Sequence, residues 1–112
     1  MTPAVQHVWE VLQLHVGRDA GVSCAKLAAQ AQASERDVRE AVTELRNGGV
    51  AVCGYPRSGY YIARTAEELD ETCRFLRGRA LHSLQLEARL RKLPMQELVG
   101  QISLNLKDGE GR

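Results

Sequence analysis

Two serines, Ser23 and Ser34, constrain this chain more than any other feature. Each precedes a short run with helical spacing, and a serine hydroxyl there can accept a backbone N–H of the first turn. Only Gln32 and Ala33 lie between the first run and the second serine. The chain must therefore turn two short helices sharply against each other. The first is expected over Cys24–Ala31, burying Leu27, Ala28 and Ala31, and the second from Ser34 to about Arg46, burying Val38, Val42 and Leu45. Asp37, three residues after Ser34, gives a shortened form of the capping box. Asn47-Gly48-Gly49 then breaks the second helix.

The flanking segments complete a small core. Pro3 suits a first helical turn, and Val5, Val8, Trp9, Leu12 and Val16 share one face, so a helix is expected over 3–16 with Gly17 as its stop. A turn at Arg18–Gly21 leads to a very short strand at Val22-Ser23. Val50–Cys53 and Tyr60–Ala63 read as two strands of a hairpin around a polar turn over Gly54–Ser58. Alternation along a strand should put Tyr60 or Tyr61 onto the helices. The expected fold class is mainly α (α+β), with helix, short strand, helix, turn, helix and hairpin making one domain over residues 1–64.

Composition narrows the function. Five aromatics in 112 residues leave a core of Leu, Val, Ile and Ala, which favours packed helices. The net charge of +1 does not announce a nucleic-acid binder, but residues 18–64 carry seven basic and five acidic side chains. Cys24, Cys53 and Cys73 form no CxxC pair, so they read as small buried apolar residues of a reducing cytoplasm, without disulfide or zinc. His7, His15 and His82 have no metal-ligand spacing. With no nucleophile–base pair, phosphate loop or carboxylate pair, neither an enzyme nor a cofactor is expected. No apolar run is long enough to span a membrane.

Two short helices with a tight turn form a helix-turn-helix, and the hairpin behind them forms a wing. The spacing Ser34-x-x-x-Val38-x-x-x-Val42-x-x-Leu45-Arg46-x-x-Gly49-Val50-x-Val52, then Pro56-x-x-Gly59-Tyr60, resembles the N-terminal winged-helix domain of the biotin repressor family. The resemblance covers residues 18–64 and implies double-stranded DNA binding, the second motif helix in the major groove and the hairpin on the backbone or neighbouring minor groove. No ligase domain follows, so biotin chemistry is not implied. Arg36 and Arg39 are the candidate base readers, because a guanidinium can bridge guanine O6 and N7. Lys26, Arg46 and Arg57 are candidate phosphate contacts, with Thr43 and Ser34 beside them. The same fold also serves as a protein-interaction scaffold, and Glu35 and Glu40 dilute the positive field.

Thr65-Ala66-Glu67-Glu68 reads as a capping box opening a long helix that Pro94 ends near Leu93. Its apolar positions, including Leu76, Ala80, Leu84, Leu86, Leu90 and Leu93, exceed what the small domain can cover, so residues 65–94 are expected to form a homodimer. Residues 95–112 are expected as a flexible tail. Within it Gln101-Ile102-Ser103-Leu104-Asn105-Leu106 resembles the peptide by which bacterial replication proteins dock on the polymerase sliding clamp. That resemblance assigns Gln101, Ile102, Leu104 and Leu106 to partner binding in an extended form, although alternating apolar residues equally suit an edge strand. The functional expectations are a dimeric transcription regulator or, alternatively, a replication-associated DNA binder.

Overall fold

The structure is a computed structural model and describes residues 2–55 and 59–110. The chain divides into two compact units, Met1–Cys73 and Arg74–Arg112.

In the first unit three helices precede a hairpin. Helix α1 spans Pro3–Leu12, capped by the Thr2 hydroxyl on the Val5 N–H (3.3 Å). It ends earlier than apolar spacing suggests. Past Leu12 the backbone leaves the helix, because strand β2 (Gly59–Ile62) takes its hydrogen bonds: His15 O accepts from Ile62 N and Gly17 N donates to Ile62 O, both at 2.8 Å. Val16 therefore pairs with Ile62 as a short parallel bridge instead of extending α1.

Helix α2 (Cys24–Ala31) and helix α3 (Glu35–Asn47) form the expected pair. Ser23 Oγ accepts from Lys26 N (3.2 Å), and Ser34 Oγ accepts from Asp37 N (3.0 Å). Between them Gln32 sits in the left-handed region at φ 55°, while Gln32 N and Ala33 N return to the carbonyls of Ala29 and Ala28. That closure satisfies the last carbonyls of α2 and redirects the chain in two residues. Val8, Leu12, Leu27, Val38, Val42 and Leu45 form the centre of the core.

Strand β1 (Val52–Tyr55) pairs antiparallel with β2 in the register Cys53↔Tyr61 and Gly54↔Tyr60. It starts later than its β-branched residues suggest, since Val50 is still bound to the end of α3 through Leu45 O. The outer side of β2 also pairs with Val22, through two bonds between Val22 and Tyr60 at 2.9 and 2.7 Å, which realises the expected short strand. Both Tyr60 and Tyr61 are buried, whereas Tyr55 is exposed. Two glycines make the hairpin possible. Gly54 and Gly59 have φ of 83° and 96°, and a Cβ on Gly54 would overlap the Gly59 carbonyl oxygen.

Helix α4 spans Ala66–Arg91, opened by Thr65 Oγ1 accepting from Glu68 N (3.1 Å). The Glu68 carboxylate returns to the backbone of the cap residue Thr65, as in a capping box. It accepts Arg64 N (2.8 Å) and Arg18 N (2.9 Å), and Arg18 also pairs with Glu71. These two backbone donors are the main reason its carboxyl lies below the usual carboxylate range. The start of α4 is thus fastened to the loop between α1 and α2.

In the second unit α4 ends on a left-handed residue, Lys92 at φ 56°, with Leu93 N bonded to Ala88 O (2.9 Å). Pro94 O then accepts from Leu98 N, and helix α5 follows over Met95–Glu110. The flexible tail expected over 95–112 is corrected to this helix as far as the described residues reach. Ala88 and Leu98 are buried, and Leu84, Leu93, Met95 and Ile102 are half-buried. The apolar residues assigned to one dimer face therefore separate. Leu84 and Leu93 are half-buried, while Leu76, Ala80, Leu86 and Leu90 stay exposed. No helix among the described residues is long and apolar enough to cross a membrane.

Candidate nucleic-acid interface

Helix α3 presents the candidate surface. Its buried residues are Val38, Ala41, Val42 and Leu45. At 3.6 residues per turn, the opposite side is centred on Arg36, Glu40, Thr43 and Asn47, all exposed. Arg39 lies on one flank, Asp37 and Glu44 on the other. The Arg39 flank is the one turned to the hairpin, since its charge bears on the Tyr60 hydroxyl and the Cys24 thiol.

The predicted site residues fall into three groups. Arg36, Arg39, Thr43 and Lys26 reach solvent. Arg36 Nε lies 3.2 Å from Glu40 Oε1, an exposed i,i+4 pair that holds the guanidinium by only a few tenths of a kcal/mol. The Thr43 hydroxyl donates to Arg39 O (3.1 Å), which orients it while leaving its oxygen lone pairs outward. Lys26 lies in the first turn of α2, two residues after its start.

Ser34 and Arg46 serve the fold. The Ser34 hydroxyl is occupied by the cap on α3. Arg46 turns away from the outer face: its Nε donates to Val52 O (2.9 Å) and its Nη2 to Gly54 O (2.7 Å). Burial lowers its pKa from the ordinary value, with the nearby Tyr60, Cys53 and Cys73 groups acting against that. The expected phosphate contact at Arg46 is therefore corrected to a clamp between α3 and β1. A basic residue in the last turn of a helix is as well suited to bind carbonyls as phosphates, so composition does not separate the two roles. Arg57 lies outside the described residues.

With Arg46 withdrawn, the exposed charge of α3 is uneven. Arg36 and Arg39 stand against Glu35, Glu40 and Glu44, with Asp37 half-buried beside them. Positive charge is confined to the middle of the face and its hairpin side. Asn47, absent from the predicted set, occupies the centre of that face one turn beyond Thr43. Helical spacing alone turns Asn47 away from the core, but its place in the Asn-Gly-Gly break reads first as a helix stop.

The cysteines offer no chemistry at this surface. Cys24 donates to Glu35 O (3.6 Å) and Cys53 to Glu68 O (3.7 Å), and burial is the main reason both thiols are pushed up. Cys73 is exposed, contrary to its expected burial. Among the described residues no cluster of His, Cys, Asp and Glu is arranged for a metal. Gln101–Leu106 lies inside α5, with Ile102 half-buried and Gln101, Leu104 and Leu106 exposed. The expected extended clamp-binding peptide is thus helical here, and α5 would have to unwind to present it.

Comparison with known proteins adds one match. The model of the family described as replication protein A C terminal matches residues 1–51, from α1 through α3. No curated protein matches, and no solved structure does. The three helices of this winged helix are therefore similar to a replication-protein domain, whereas the sequence pattern had pointed to the biotin repressor family.

Proposed function

We propose that the first unit is a duplex DNA-binding module of a replication-associated protein, with α3 in the major groove and the hairpin beside it. One observation carries the reading: α3 leaves Arg36, Arg39, Thr43 and Asn47 open to solvent on a helix whose other side is locked into the core. The N-terminal turns of such a helix reach base edges, and Arg36 and Arg39 lie there. Similarity of residues 1–51 to a replication-protein domain favours a replicative setting over a transcription regulator. Two copies would bring two such helices to two half-sites.

A second reading has its own observation. The carboxylates Glu35, Glu40 and Glu44 outnumber the two exposed guanidinium groups on α3, which suits docking onto a basic protein surface. Fluorescence anisotropy with a labelled random-sequence duplex separates the readings. DNA binding should weaken linearly in log–log salt titration and be lost in Arg36→Ala/Arg39→Ala, with helicity unchanged. Absence of binding at low salt would leave the docking platform. Selection from a random duplex pool then tests the setting: weak sequence preference fits replication, and one palindromic operator fits transcription.

A further inference from the structure

Charge is segregated along α4. Its first two turns hold four carboxylates, Glu67, Glu68, Asp70 and Glu71. From Arg74 to Lys92 the chain then carries six basic side chains against one carboxylate, Glu87, which already accepts from Arg91 at 2.8 Å. The helix dipole favours cations in the last turn only. It accounts for Arg89 and Arg91, but not for Arg79, roughly three turns earlier. On α3, by contrast, two exposed guanidinium groups stand against three exposed carboxylates. The denser positive surface is therefore on α4.

The charge is also placed on a face. Taking 3.6 residues per turn, Gly78, His82, Gln85 and Arg89 follow one line along α4, bordered by Arg79 and closed by Lys92 just past the helix end. All six are exposed. Glu87 lies on the opposite side, and Leu76, Leu86 and Leu90 are turned roughly 110° away. Phe75, Gly78, Arg79, His82 and Ser83 line an open hollow of about 510 Å³ at the start of this face. Nothing stands within 4 Å of where a Cβ on Gly78 would be. Glycine weakens a helix interior, and no packing around this one requires it. Its missing side chain leaves room for another molecule's backbone to approach between a guanidinium and an imidazole.

We infer that this face of α4 is a further DNA contact, binding the phosphates of a duplex backbone through Arg79, Arg89 and Lys92, with His82 and Gln85 as uncharged hydrogen-bond donors between them. A guanidinium matches phosphate oxygens two at a time. The face has one aromatic, Phe75, whose ring already carries Arg79 at 5.9 Å, so it offers no succession of stacking platforms for a single strand. A lipid surface would be entered by the leucines, which turns this line to the side. The inference rests on the reading of the protein as a duplex DNA binder, but goes beyond α3. Backbone contacts carry no sequence information, so α4 supplies affinity and salt dependence and leaves base choice to α3.

Fluorescence anisotropy of the full chain with a labelled random-sequence duplex, titrated with salt, tests it. Each lost phosphate contact lowers the log–log salt slope by about 0.9. The variant Arg79→Gln/Arg89→Gln/Lys92→Gln should therefore flatten the slope by about 2.7 and weaken binding about tenfold or more at moderate salt. Its helicity should be unchanged, since glutamine is close to arginine and lysine as a helix former. Arg89→Gln alone should lower the slope by about 0.9, whereas Arg91→Gln, held by Glu87 on the other side of the helix, should leave it unchanged. Gly78→Glu should weaken binding although it favours the helix. Wild-type binding with the same slope in the triple variant would overturn this inference while the α3 reading stands. Equal effects of Arg89→Gln and Arg91→Gln would overturn it too, because they would report net charge alone. A wild type without duplex binding would overturn both readings. Tighter binding to a single strand of the same length, or to phosphatidylserine vesicles, lost in the triple variant, would overturn the choice of partner.

Discussion

Replacing Arg46 with alanine separates a structural guanidinium from a phosphate-binding one. The side chain donates to two backbone carbonyls, Val52 O and Gly54 O. Hydrogen bonds from a charged group contribute about 1.5–3 kcal/mol each. Arg46 is half-buried, so the lower end applies, and two bonds make about 3 kcal/mol. For a domain of this size each kcal/mol moves the melting temperature by about 4–8 °C. Arg46→Ala should therefore lower the melting temperature by about 12–24 °C in a far-ultraviolet circular dichroism melt. Arg46→Lys should fall in between, since one ammonium on a flexible stem does not match a rigid two-pronged donor. DNA affinity measured well below the melt supplies the contrast. A lost phosphate contact reduces the salt slope by about 0.9, whereas a lost clamp leaves the slope of the folded protein unchanged. A melt within about 3 °C of wild type, together with a reduced slope, would refute the clamp and return Arg46 to the interface.

Two further outcomes follow from the hairpin and the start of α4. Gly54→Ala should cost more than about 3 kcal/mol, because it combines an unfavourable left-handed backbone with overlap on a carbonyl; chemical denaturation checks it, and a variant within 1 kcal/mol of wild type, roughly, would contradict the hairpin geometry. Glu68 has a folded pKa below its unfolded value, so its contribution is fully present above the unfolded pKa and is lost as pH falls through the depressed one. Denaturation midpoints across mildly to strongly acidic pH should decline less steeply in Glu68→Gln than in wild type, and parallel curves would show that the Arg18 and Arg64 donors do not bind the carboxylate in solution.

The helices of the first unit were legible because their signals are local. Ser23 and Ser34 begin α2 and α3 where they stand, and each periodic run buries the residues its spacing selects. What was lost depended on partners distant in sequence. Val16 continues the apolar rhythm of α1, but Ile62 captures the backbone around it. Arg46 carries the same charge as Arg36 and Arg39, and only the arrival of β1 beneath it decides its role. The peptide at Gln101 alternates like a strand over six residues. The longer run from Met95 has enough turns to continue as a helix, with Leu98 and Ile102 on its covered side. The candidate site was legible as a face, through Arg36, Arg39 and Thr43, but not in its charge balance. That balance changes once Arg46 leaves the surface.

The Arg46 clamp has a consequence for what this small sheet can recruit. On the outer edge of β1, Val52 O and Gly54 O are filled by the guanidinium, and Gly54 N donates to the buried Thr72 hydroxyl at 3.1 Å. The far edge of β2 is engaged by Val22 and by His15 and Gly17. Open strand edges are where chains add peptides or join into aggregates. Here a helix side chain and a threonine do on one edge what short neighbouring strands do on the other. The hairpin is thereby closed to strand addition along these residues, which leaves the helices of this unit as the described surface open to a partner.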